Sequence, residues 1–278
     1  MRLLRNIGLG VAAAVLLAGL ALWIASARML GARPAPQPER LAAPTPAQVA
    51  DAPRQLRILG CITCHGEGLR GGKVFDDPKI ASIHGPNLTL VAARASDEQL
   101  ARAIRQGIGA DGRPLVAMPS SGFSQLTGQE VAAIIGAVRA LPRGGPEAPP
   151  VRVGPIGRIG LVAGKFSLQP ALVARQKAHM PADLGPEHAK ARHIVVTVCA
   201  ECHGPDLTGG EAEPGVMAPD LAIAGAYEPE QFRRLLREGV APGKTLTLMR
   251  RVARSDLKYL TDGEIDSIHA YLRALSAR

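Results

Sequence analysis

Four cysteines and two histidines carry the chemistry of this sequence, arranged twice in the same way. They form Cys61-Ile62-Thr63-Cys64-His65-Gly66 and Cys199-Ala200-Glu201-Cys202-His203-Gly204. Two cysteines separated by two residues can each form a thioether to a haem vinyl group, and the adjacent histidine is then placed to ligate the iron. Zinc would need further cysteine or histidine ligands at suitable spacing, yet every cysteine of the chain belongs to one of these motifs. A thioredoxin-like redox pair would need a βαβ context, which the sequence pattern lacks. The expected cofactor is therefore two covalently bound haem c groups with their iron. Their flat apolar surfaces would also compensate for an aromatic content of only 3%.

The elements that position these residues are duplicated as well. The two motifs are offset by 138 residues, and Leu69, Gly71 and Gly72 match Leu207, Gly209 and Gly210 at the same offset. Pro86 and Leu88 then match Pro219 and Leu221, and Arg105 and Gly107 match Arg237 and Gly239. Each copy closes on a helix-start signal, Thr127 with Glu130 and Thr261 with Glu264. Apolar residues follow at helical spacing, as Val131, Ile134, Val138 and Leu141 and as Ile265, Ile268, Leu272 and Leu275. Further helices are expected before each motif, over 47–59 and 186–198. Little in either unit alternates with period two, so both units read as all-α.

A membrane-targeting segment precedes them. Arg2 and Arg5 flank an uncharged run from Ile7 to Ala27 that is long enough to cross a bilayer. It reads as an uncleaved anchor, with cleavage after Ala25-Ser26-Ala27 as the alternative. Residues 31–46 contain five prolines among alanines and read as an extended tether that could hold a head domain up to roughly 60 Å away. The domain plan is an anchor or signal over 1–30, a tether over 31–46, units over 47–142 and 186–278, and a linker over 143–185. That linker is rich in Pro and Gly at first and then apolar from Ile156 to Leu172.

In these motifs each half resembles a class I c-type cytochrome domain, and the whole resembles exported two-haem cytochromes of bacteria, including the cytochrome subunits of membrane-associated dehydrogenases. The resemblance implies a methionine as sixth iron ligand on a loop before the last helix. Met118, in Leu115-Val116-Ala117-Met118-Pro119, fits that place; Met249 is its counterpart, although Arg250 stands where the family commonly has proline. The metal ligands so implied are His65, Met118, His203 and Met249. Met217 is the rival for the second iron, whereas His84, His179, His188, His193 and His269 read as surface or locally bonded histidines. The family also implies that the carbonyls of Pro86 and Pro219 accept a hydrogen bond from the two haem histidines.

With both irons closed, the expected function is electron transfer at the periplasmic face of the inner membrane, with no catalytic residue. The chain would link a donor such as a dehydrogenase to an oxidase or soluble carrier. The alternatives are a two-haem peroxidase or thiosulfate-oxidising enzyme with one iron that opens, and a soluble periplasmic form after signal cleavage. Lys244, Arg250, Arg251, Arg254 and Lys258 surround Met249 and would suit an acidic docking face on a redox partner. Glu201, Asp206, Glu211 and Glu213 read as the opposite, acidic side of that unit. The net charge of +9 falls toward about +5 once four haem propionates are counted, which argues against nucleic acid as a partner.

Overall fold

The computed structural model describes residues 2–213 and 215–278. The chain opens with α1 (Arg2–Leu30), whose apolar side chains are mostly exposed. The first half then contains α2 (Pro46–Ile58), α3 (Cys61–His65), β1 (Arg70–Asp77), β2 (Ala81–Asn87), α4 (Leu88–Ala92), α5 (Asp97–Gln106), α6 (Ser120–Phe123) and α7 (Gly128–Arg139). The linker supplies β3 (Arg152–Val153), α8 (Pro155–Val162) and α9 (Gln169–Ala178). The second half contains α10 (Ala189–Ile194), α11 (Ala200–His203), β4 (Gly210–Glu213), β5 (Val216–Ala218), α12 (Ala222–Gly225), α13 (Pro229–Glu238), β6 (Val240–Ala241), β7 (Lys244–Thr245), α14 (Thr247–Ser255) and α15 (Asp262–Ser276).

Both closing helices begin where the sequence places them. Thr127 and Thr261 each accept a bond from the backbone N–H of the glutamate three residues on, and that glutamate accepts one from the threonine's own N–H. In the first half α2 crosses α7, and in the second α10 crosses α15. Two apolar cores result. One gathers Leu56, Leu69, Phe123, Val131, Ile134 and Val138; the other gathers Val195, Leu207, Phe232, Leu257, Ile265 and Leu272. Val198 touches both, so the two halves are packed together.

The all-α expectation needs correction. Strands β1 and β2 pair antiparallel directly after the first motif, β3 joins their edge, and β4 with β5 forms the matching hairpin in the second half. A small ribbon, β6 with β7, precedes α14. No period-two apolar pattern marks these strands, because β1 has no buried residue and β2 is buried only at Ala81, Gly85 and Asn87. The first hairpin is also longer. His65 and Pro86 stand 21 residues apart, His203 and Pro219 only 16, which accounts for the change of repeat offset between motif and proline.

The spacer at 31–45 is corrected too, because it is held down rather than free. Glu39 pairs with Arg105, Gln37 exchanges bonds with Gln106, and Gln129 donates to Ala43 O. The extended chain therefore lies along the first half, and its length does not translate into distance from a membrane.

Candidate haem sites

The first CxxCH motif forms the short helix α3 behind the left-handed Gly60, whereas in the second Cys199 closes a π-helical turn over Val195–Cys199 that runs on into α11. Gly66 and Gly204 follow the two histidines with φ of +73° and +83°. A Cβ on either would stand 2.4 Å or 2.6 Å from the carbonyl oxygen of Gly71 or Gly209, so the chain can fold back against the motif only with glycine there. Leu69 and Leu207 also have positive φ, +56° and +69°, the two non-glycine residues among those described that do. Both are completely buried, so core packing holds a backbone conformation that leucine otherwise avoids.

The fold-back brings Pro86 and Pro219 to the histidines. His65 Nδ1–H donates to Pro86 O at 2.8 Å, and His203 Nδ1–H donates to Pro219 O at 2.8 Å. A carbonyl oxygen can only accept, so Nδ1 carries the proton and Nε2 keeps its lone pair for a metal. Burial lowers both histidines' affinity for a proton, partly offset by the proline carbonyls. The four cysteines are unpaired with one another, and burial pushes the Cys61 and Cys199 thiols up to about 12. Among the described residues no other cluster of three His, Cys, Asp or Glu is arranged to hold a metal. Reduced cysteines at fixed spacing, a pre-oriented imidazole and an apolar core behind it are what covalent haem c requires.

Met118 is partly buried against the first core. Its loop is strapped at both ends: Leu115 N–H donates to Gly107 O at 2.7 Å, and Ser120 Oγ–H donates to Ala103 O at 2.9 Å. Met249 is partly buried against the second core. Leu246 N–H donates to Gly239 O at 3.0 Å, repeating the Leu115 bond, and Gly107 and Gly239 are both left-handed ends of the preceding helix. Each methionine lies three residues beyond that leucine, so the two share one register. Their local structure differs for a physical reason. Pro119 bars its predecessor from helical backbone, whereas Arg250 lets Met249 sit inside α14.

The remaining candidates lie elsewhere. Met217 is 70% exposed on β5. His84 is in the β1–β2 hairpin, His179 ends α9, His188 lies against Tyr271, and His193 bonds Glu130. His269 is buried rather than at the surface and stacks on Phe232.

The sequence did not reveal the bonds that join these sites to the opposite half. Thr63, between the first two cysteines, donates to Asp256 Oδ1 at 2.6 Å. Glu201, between the second two, accepts from Ser121 Oγ–H at 2.6 Å. Gln169 Oε1 accepts from Ser120 N–H beside the Met118 loop, and Gln176 Nε2 donates to Pro205 O behind the second motif. The polar asymmetry expected of the second half is also revised, since Glu213 pairs with Arg251 and Glu201 is turned into the interface.

A family model described as "Cytochrome C oxidase, cbb3-type, subunit III" matches residues 48–136, and one described as "Cytochrome c" matches residues 188–276. The chain is 25% identical to the fructose dehydrogenase cytochrome subunit of Gluconobacter japonicus, over 78% of its own length and 50% of that protein. It thus spans about half the length of the curated relative it matches.

Proposed function

We propose that this chain, a class I c-type cytochrome with two covalently attached haems, relays electrons from an exported or membrane-bound dehydrogenase to a downstream oxidase or carrier. The observation that carries the reading is that each half offers a histidine with only Nε2 free and, at one shared register, a methionine packed in the same core. Units 47–142 and 186–278 would each enclose one haem, with 143–185 joining them. Haem c supplies a one-electron iron couple.

In this account the protein's own groups do four things. Cys61, Cys64, Cys199 and Cys202 fix the macrocycles. His65 and His203 would ligate the irons through Nε2, oriented by the carbonyls of Pro86 and Pro219, which also raise imidazole basicity. Met118 and Met249 would supply thioether ligands, which favour the reduced state. The surrounding cores exclude water. The dehydrogenase donor is supported by the relative's description as a dehydrogenase cytochrome subunit. The basic residues Lys244, Arg250, Arg254 and Lys258 are exposed and would receive an acidic partner. Helix α1 would anchor the chain at the periplasmic face of the inner membrane.

Spectroelectrochemical titration of the full chain and of the variants Met118→His and Met249→His tests the ligand set. Two one-electron waves are expected, each variant lowering one of them and leaving the other. A Met249→His variant with both waves unchanged would remove Met249 from the iron.

A further inference from the structure

Helix α8, in the linker, is built against α1. Its Arg158 guanidinium lies 3.8 Å from the centroid of the Trp23 ring, and Nη1 donates to Ser26 Oγ at 2.9 Å. Ser26 is fully buried, and its Oγ–H donates to Trp23 O at 2.9 Å. A second face of α8 packs on the first half through Gly157, where a Cβ would stand 2.1 Å from Ile80 O, and Leu161 of the same helix is 1% exposed.

The third face has no protein against it. Ile156, Ile159 and Val162 are 54%, 51% and 41% exposed. At about 100° per residue they share an arc of about 120° that begins beside Arg158, so the apolar arc continues the exposed surface of α1 carried by Trp23 and Ile24. The level of this contact along α1 is informative. The uncharged residues between Arg5 and Arg28 span about 33 Å as a helix, close to a bilayer's hydrocarbon thickness. Trp23 and Ser26 stand in the last turns of that span, where indoles and stretched basic side chains are accommodated. Exposed Arg152 and Lys165 flank α8 at the two ends.

We propose that α8 is a second membrane contact, lying in the outer interface with Ile156, Ile159 and Val162 among the lipid acyl chains and Arg152 and Lys165 toward anionic headgroups. The proposal rests on reading α1 as a retained anchor. A single spanning helix leaves a head domain free to swing and spin; a second contact, locked to the first through Arg158, sets the tilt of the first haem domain on the membrane.

The test is photolabelling of the full haem-loaded chain in vesicles of phosphatidylethanolamine and phosphatidylglycerol containing a phosphatidylcholine with a diazirine-bearing acyl chain. Tryptic cleavage separates residues 6–28 from 159–165. Lipid adducts are expected on both, those on 159–165 about tenfold above a control with no buried residue such as 245–250. The double variant Ile156→Asp/Ile159→Asp, checked to retain two haems, should lose about tenfold on the linker segment with α1 labelling unchanged. Adducts confined to 6–28 would overturn the second contact while leaving the anchor intact. Adducts on neither segment would overturn the anchor reading as well.

Discussion

Ser121 and Thr63 are small hydroxyl residues whose weight comes from where their partners sit. Glu201 stands between two haem-binding cysteines, and desolvation where its carboxyl meets Ser121 raises that carboxyl above the ordinary range, opposed by the bond from Ser121. Replacing Ser121 with alanine removes that carboxyl's donor, which costs about 0.5–1.5 kcal/mol. The expected outcome is a lower thermal midpoint for Ser121→Ala, followed by circular dichroism, with haem content unchanged. An unaltered midpoint would mean that the bond does not tie the halves. Thr63 and Asp256 make the reciprocal tie from the first motif to the second half. Neither was legible in the sequence, because the partners are 80 and 193 residues apart and a serine or aspartate carries no mark of a distant bond. The cysteines and histidines were legible because covalent attachment fixes their spacing locally.

At the scale of elements, repeated signals were the readable ones. Capping boxes and apolar stripes located α7 and α15 because both act within a few residues. The hairpins were not readable, since their strands carry no period-two apolar pattern and depend on glycine fold-back against the motif. The function of α9 was equally hidden. Its two buried glutamines, Gln169 and Gln176, lie seven residues apart on one face and reach the Met118 loop and the loop behind His203, so the linker forms part of the scaffold of both sites.

Helices α7 and α10 are joined across the halves by Glu130, which holds its own helix cap and accepts from His193 Nε2 at 2.9 Å. Burial alone would raise the Glu130 carboxyl, but the His193 and Thr127 bonds outweigh it and bring it from an ordinary 4.5 to about 2. A folded-state value below the unfolded one contributes stability that is present above about 4.5 and lost as pH falls toward about 2. Thermal melts should therefore show the wild type more stable than Glu130→Gln at pH 6, with the gap closing between about pH 4.5 and 2. A gap that stays constant over that range would exclude this carboxylate as its source.

For the whole molecule, duplication is the organising fact. Both halves repeat the set of histidine, proline carbonyl and methionine, yet the sets are embedded differently. The first is wrapped by the strand-like segment at 31–45, by α8 and by α9, while the second presents exposed basic residues around Met249. That contrast suits a first haem domain set against membrane and linker and a second one open to a partner. The sequence disclosed the two sites and the +9 charge but not this arrangement, because it depends on contacts made only once the halves are packed.

Electron transfer as proposed here requires both irons to be closed by methionine. The most direct measurement is the optical spectrum of the fully reduced full-length protein before and after carbon monoxide. An unchanged spectrum at two haems per chain is expected. A shift of about half the haem absorbance would contradict it, showing that one iron opens to small ligands and pointing to an enzyme whose reactive site is the Met249 domain.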